Sequence, residues 1–129
     1  MNKSNGVITK QSLYGVKESI DQFQAILSAK GITVFARIDQ QDAARKAGLE
    51  MSATELLIFG NPLAGTPIMQ AYPLAGLDLP LKLMAWTHDG ATAWLTYNDA
   101  AWIGERYGLP PELAKKLDFG ALVAQIAKP

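Results

Sequence analysis

The apolar positions of this chain change period several times, and each change marks an element. Val16, Ile20, Phe23 and Leu27 recur every three or four residues, which predicts an amphipathic helix from Gly15 to Lys30. Gly31 follows, where a left-handed cap is wanted. Ile32 to Asp39 alternates, with Ile32, Val34, Ala36 and Ile38 on one face and Thr33, Phe35 and Arg37 on the other; that is the period of a strand. An earlier strand is expected around Val7 and Ile8, from Gly6 to Ser12. Asp39 reads as the N-cap of a short helix through Ala43, Ala44 and Ala47, ended by Gly48. Leu56-Leu57-Ile58-Phe59 is an unbroken apolar run, as in a strand buried on both faces.

Two further strands, Leu81 to Thr87 and Ala91 to Tyr97, flank His88-Asp89-Gly90. Asp-Gly between apolar runs predicts a hairpin, because glycine takes positive φ at little cost. A two-residue loop at Asp89 and Gly90 sets Trp86 opposite Ala93, Met84 opposite Leu95 and Lys82 opposite Tyr97. Ala85 and Trp94 then point the other way, so both hairpin faces carry large apolar groups. Next, Asn98 or Asp99 caps a helix through Trp102, Ile103 and Tyr107 that Gly108 stops. Pro110-Pro111 opens another, and Asp118 with Gly120 predicts a break before Leu122, Val123 and Ile126.

This order predicts an α+β domain of two layers, an antiparallel sheet with helices on one face, rather than a doubly wound parallel sheet. The apolar second face of the hairpin then needs a cover. A symmetric homodimer supplies one most simply.

Composition narrows the function classes. The chain has 129 residues, the size of one domain spanning 1–129, and can fold without disulfide or metal staples. Its 12 basic and 12 acidic residues cancel, so no nucleic-acid partner is expected, since such binders carry a basic face. The lack of cysteine excludes thiol nucleophiles, zinc-thiolate sites and iron–sulfur clusters. No cofactor is expected. The first ten residues hold no apolar leader, and no run of about 18 apolar residues occurs. A membrane is therefore not expected as a partner, and the expected compartment is the cytoplasm.

The segment from Asn61 to Lys82 is the informative one. Four prolines and three glycines between Gly60 and Lys82 punctuate the backbone, so a long regular element is not expected there. Thr66-Pro67 reads as an N-cap and first helical position for one or two turns through Met69 and Gln70.

Gly60-Asn61-Pro-x-x-Gly65-Thr66-Pro67-x-Met69-Gln70, followed by Gly76-Leu77-Asp78-Leu79-Pro80-Leu81-Lys82, resembles the family catalogued as domain of unknown function 302. Phe35-Ala36-Arg37-Ile38-Asp39 and Thr96-Tyr97-Asn98-Asp99 resemble it too. The resemblance implies a β-α-β4-α fold of the TATA-binding-protein-like type, with extra short helices here, in a mainly bacterial and archaeal family. It implies no activity.

The candidate ligand-binding residues are Asn61, Thr66, Gln70, Asp78, Lys82 and Tyr97. Asn61 and Thr66 follow a strand among glycines, yet neither a Walker A nor a G-x-G-x-x-G pattern is present. Asp78 and Lys82 flank the proline loop, with Tyr97 set opposite Lys82. They could bind an anion or simply pin the loop. His88, the only histidine, stands beside Asp89 at a hairpin tip, where a solvated turn explains both. The first functional reading is a non-catalytic, homodimeric domain that binds a small ligand or a partner near Asn61–Lys82. The alternative is a small enzyme acting on an anionic substrate through Asp78, Lys82 or Tyr97.

Overall fold

Residues 5–129 are described in a computed structural model. Five strands, β1 (Val7–Gln11), β2 (Thr33–Asp39), β3 (Thr54–Gly60), β4 (Leu81–Thr87) and β5 (Ala93–Asn98), form one sheet in the order β1-β5-β4-β3-β2. Every neighbouring pair is antiparallel. The first two strands lie at opposite edges, so the helix between them must cross the sheet. That helix, α1 (Val16–Ala29), has 14 residues and is about 21 Å long. Four strand spacings come to about 19 Å, so its length matches the crossing. The expected two-layer α+β architecture is what the chain adopts.

The covered face of the sheet holds the main core. Ile20, Phe23 and Leu27 of α1 are fully buried against Leu57, Leu83, Ala85 and Leu95. Phe59 stands edge-on to Phe23 and Phe119, with ring centroids 5.4 and 4.9 Å apart. Edge-to-face contact sets the positive rim of one ring against the negative face of the next.

A second core lies beyond the end of the sheet where β3 stops and β4 begins. It joins α3 (Pro62–Ala71), a 3-10 helix over Pro73–Asp78, α4 (Ala100–Tyr107) and α5 (Pro111–Ala114) through Ile68, Ala75, Ile103 and Ala114. Gly104 of α4 packs so closely on α5 that an added Cβ would meet that of Ala114 at 2.7 Å.

Most caps fall where expected. Asp39 accepts from the Asp42 N–H at the start of α2 (Gln40–Lys46), Asp99 accepts from Ala101 at the start of α4, and Gly108 closes α4 in the left-handed region. The break before α6 (Gly120–Val123) also stands.

Three expectations need correction. The hairpin register is off by one residue. Trp86 faces Trp94, Met84 faces Thr96 and Ala85 faces Leu95, because residues 88–92 all belong to the loop. Asp89 Oδ1 accepts from both Ala91 and Thr92, and the Thr87 hydroxyl accepts from Gly90; this local network makes a wider turn than Asp-Gly alone. In β2, a bulge between Val34 and Ala36 breaks the alternation. Val34 pairs with Phe59, whereas Ala36 and Ile38 pair with Ile58 and Leu56 on the opposite face. Phe35, the extra residue, is left exposed.

The proline-rich segment, finally, holds a ten-residue helix. Asn61, not Thr66, is its N-cap and accepts from the Leu63 N–H at 2.9 Å. Pro62 takes the first position, where a missing N–H costs nothing. Pro67 removes one internal bond, which is tolerated because α3 is a surface helix with Ile68 as its one buried residue.

Candidate functional site

The turn from β3 into α3 leaves a gap between the two cores. Phe59, Gly60 and Leu81 form its inner wall, and Ala64, Gly65, Thr66 and Met69 of α3 form one side. Leu79 and Pro80, joined by a cis peptide bond, lie beside them. Lys116, Leu117, Asp118, Phe119 and Leu122 close the other side, with Ile32 and Phe35 at the β2 edge. The cavity, which opens to solvent, has a volume of about 460 Å³, within the range of small-molecule pockets.

Its lining is chiefly carbon. The polar exceptions are Asn61, Thr66, Lys116 and Asp118. Two of these already serve the backbone: Asn61 Oδ1 caps α3, and Asp118 Oδ1 accepts from the Gly120 N–H at 2.8 Å. The Asn61 amide Nδ2, the Thr66 hydroxyl and the Lys116 ammonium are the lining groups with donors left to offer.

The candidate residues separate. Asn61 and Thr66 line the cavity. Gln70 is exposed on α3 and does not. Asp78 sits in the 3-10 helix and accepts from Arg106 Nη1 at 2.9 Å and from the Tyr107 hydroxyl. It ties that helix to α4, and no ion pair joins Asp78 to Lys82. Lys82 pairs with Ile58 across β4 and β3 and points to the open face of the sheet. Tyr97 is buried on the covered face, its ring 4.8 Å from Phe119. The one-residue register shift is the reason: it moves Lys82 and Tyr97 to opposite faces.

Local electrostatics follow the same division. Burial, aided by the nearby Asp118 and Asp99 carboxylates, raises the pKa of Tyr97. The hydrogen bond to Asp78 raises that of Tyr107. Both phenols stay protonated at neutral pH, so neither is a ready base. Asp78, Lys82 and Tyr97 are not brought together, and the geometry does not assemble the enzyme constellation.

Spacing missed two groups. Phe35, Lys116, Asp118 and Leu122 reach the cavity from distant parts of the chain; the expected break at Asp118–Gly120 was the one local signal pointing there. The second is an ionic clamp. Arg37 Nε donates to buried Glu55 at 2.8 Å, and Nη1 donates to Asp21 at 2.7 Å. Burial works against the Arg37 charge, but the bonds to Glu55 and Asp21 outweigh it and raise its pKa. This clamp fastens α1 to the sheet and does not touch the cavity. His88 is exposed on the hairpin loop. Among the described residues, no cluster of three or more His, Cys, Asp or Glu side chains could hold a metal ion.

Similarity to known proteins agrees with this fold. The sequence profile of a domain of unknown function, DUF302, matches residues 8–121. A crystal structure of an uncharacterized conserved DUF302 protein from Bacillus stearothermophilus superposes with a TM-score of 0.77 at 20% identity, covering 93% of this chain and 94% of that one. Among curated proteins, "Fluoride-specific ion channel FluC 1" of Brucella suis is 42% identical over 105 residues. The protein of the same name from Brucella abortus is also 42% identical. The matched region is 81% of this chain and 41% or 39% of those proteins, so the chain spans about two-fifths of the length of these relatives. No described helix here is long and apolar enough to cross a membrane.

Proposed function

The chain belongs to the DUF302 family, and we propose that it is a non-catalytic binding domain whose cavity behind α3 takes a small, largely apolar ligand. The carrying observation is a cavity of about 460 Å³ whose lining is carbon apart from Asn61, Thr66, Lys116 and Asp118. Apolar walls favour an apolar body, and the free donors of Asn61, Thr66 and Lys116 favour a single polar end that accepts hydrogen bonds.

We read the chain path as the β-α-β4-α, TATA-binding-protein-like order with extra short helices, which carries no DNA reading by itself. The cytoplasm is the compartment we assign. The name of the Brucella relatives refers to proteins more than twice as long as the matched region. We do not carry fluoride over as the ligand, because a small, strongly hydrated anion needs several donors to replace its water.

The same reading includes a homodimer through the open face of the sheet. Leu56, Ile58, Met84, Trp86 and Trp94 lie there half-buried, flanked by no helix core. Light scattering that shows a monomer across the micromolar range would remove the dimer.

The ligand reading is tested with an anilinonaphthalene sulfonate probe, whose fluorescence rises in apolar surroundings. Wild-type protein is expected to bind it saturably, and Ala64→Phe, which fills the cavity, to bind it at least tenfold more weakly with the fold retained. Equal binding by both proteins would show that the cavity is not the site.

A further inference from the structure

The longest uncharged stretch of the chain also carries its most exposed apolar side chains. No charged residue occurs from Leu56 to Leu77. Within it, Leu63 on α3 is 87% exposed, and Leu74 and Leu77 on the 3-10 helix are 79% and 72% exposed. Phe35 and Met69 are exposed as well and also line the cavity. Exposed apolar surface therefore reaches the cavity at Phe35 and Met69, on the same segment and its β2 neighbour. Among the described residues, five of the eight exposed large hydrophobics lie at this one end, so they form a patch rather than a scatter of single residues.

The charges around the patch favour one kind of occupant. Lys115 and Lys116 form the 3-10 turn beside the cavity, and neither has an ion-pair partner among the described residues. Asp78 is paired with Arg106 and Asp118 accepts from the Gly120 N–H, and no nearby carboxylate among the described residues, Glu105 and Glu112 included, pairs with either lysine. Exposed leucines with unpaired lysines at their flank complement a bilayer that has an apolar interior and an anionic surface. The open sheet face, where a second copy would sit, is a different surface.

We propose that α3 and the 3-10 helix after it dock on an anionic lipid bilayer, and that the cavity behind them receives a lipid tail. The leucines enter the boundary between headgroups and acyl chains, while Lys115 and Lys116 stay among the headgroup phosphates. This is a surface contact and not a span. It rests on the binding-domain reading and supplies its ligand class.

Co-sedimentation of the whole chain with vesicles tests it. Vesicles of phosphatidylcholine mixed with phosphatidylglycerol are expected to carry the protein down, and phosphatidylcholine alone to do so about tenfold less well. The combined Leu63→Gln, Leu74→Gln and Leu77→Gln variant should lose vesicle binding by tenfold or more, with its Tm and its uptake of the fluorescent probe unchanged. Failure of wild-type protein to sediment with either vesicle would overturn the proposal, as would a triple variant that sediments like wild type. Normal vesicle binding combined with no probe uptake by wild type would overturn the cavity reading and leave the docking surface standing.

Discussion

The core under α1 and the cavity beside α3 are lined by similar residues and packed in opposite ways. Under α1, Phe23, Phe59, Phe119 and Tyr97 interlock, and their neighbours are almost entirely withdrawn from water. Behind α3, equally apolar side chains face each other across unfilled space. Interiors normally close to crystal-like density, so a gap lined by Leu, Met and Phe forfeits contacts that a core would keep. One region is built to hold the fold, and the other leaves room for something else. Hydrophobicity alone does not separate them; what separates them is whether the facing side chains reach one another.

Phe23→Ala should show the largest effect. It removes a ring that touches both Phe59 and Phe119, and a loss of about 3–5 kcal/mol is expected in urea unfolding. A loss below about 1 kcal/mol would mean that this region is as loosely packed as the other.

Arg37→Met comes next, at about 3 kcal/mol, because it leaves the Glu55 carboxylate buried without its partner. Adding Glu55→Leu should recover most of that loss in a double-mutant cycle. Without such recovery, the clamp owes its effect to Arg37 packing alone.

Ala64→Leu reverses the sign. It puts carbon into the cavity, where a gain of about 0.5–1 kcal/mol is expected. An equal-sized addition to the full core would cost about 1–3 kcal/mol. Destabilisation by Ala64→Leu would therefore erase the contrast between the regions.

Asp21→Asn should be the smallest. Hydrogen bonds from Arg37 and then Lys17 lower the pKa of Asp21 below its ordinary value of 3.8. A lowered folded-state pKa gives stability that is present above 3.8 and lost as pH falls through the lower value. The carboxylate is largely exposed, so less than about 1 kcal/mol is expected. The mutant should differ from wild type at neutral pH and converge on it at strongly acid pH. A constant difference at all pH values would point away from the ion pair.

Much of the fold was legible because its signals are local. The α1 stripe, the Asp39 and Asp99 caps and the glycines after α2 and α4 all depend on residues within two turns of one another. What failed depended on competition between local options. Asp89 could support a two-residue turn or the wider network it makes, and that choice moved Lys82 and Tyr97 to opposite faces. The bulge at Phe35 left no mark in the alternation, which reads smoothly through it. The prolines of α3 spoke against a helix, but one sits at its start and the other at a surface position.

The site was legible as a place and not as a set of residues. Asn61 and Thr66 reach the cavity because α3 does. Lys116 and Leu122 reach it through tertiary packing, which no spacing along the chain reports.

The pairing of β1 with β5 has a kinetic consequence. Thr9 and Thr96 exchange a hydroxyl hydrogen bond across 87 positions of sequence. Closing a loop of that length costs about 4 kcal/mol of chain entropy beyond the fixed constant, and nothing local repays it until β5 is already in place. The β2–β3–β4–β5 meander can assemble from neighbouring segments. β1 is therefore among the last strands to find its partner, and the folding rate should be governed by this closure rather than by the stability of either core.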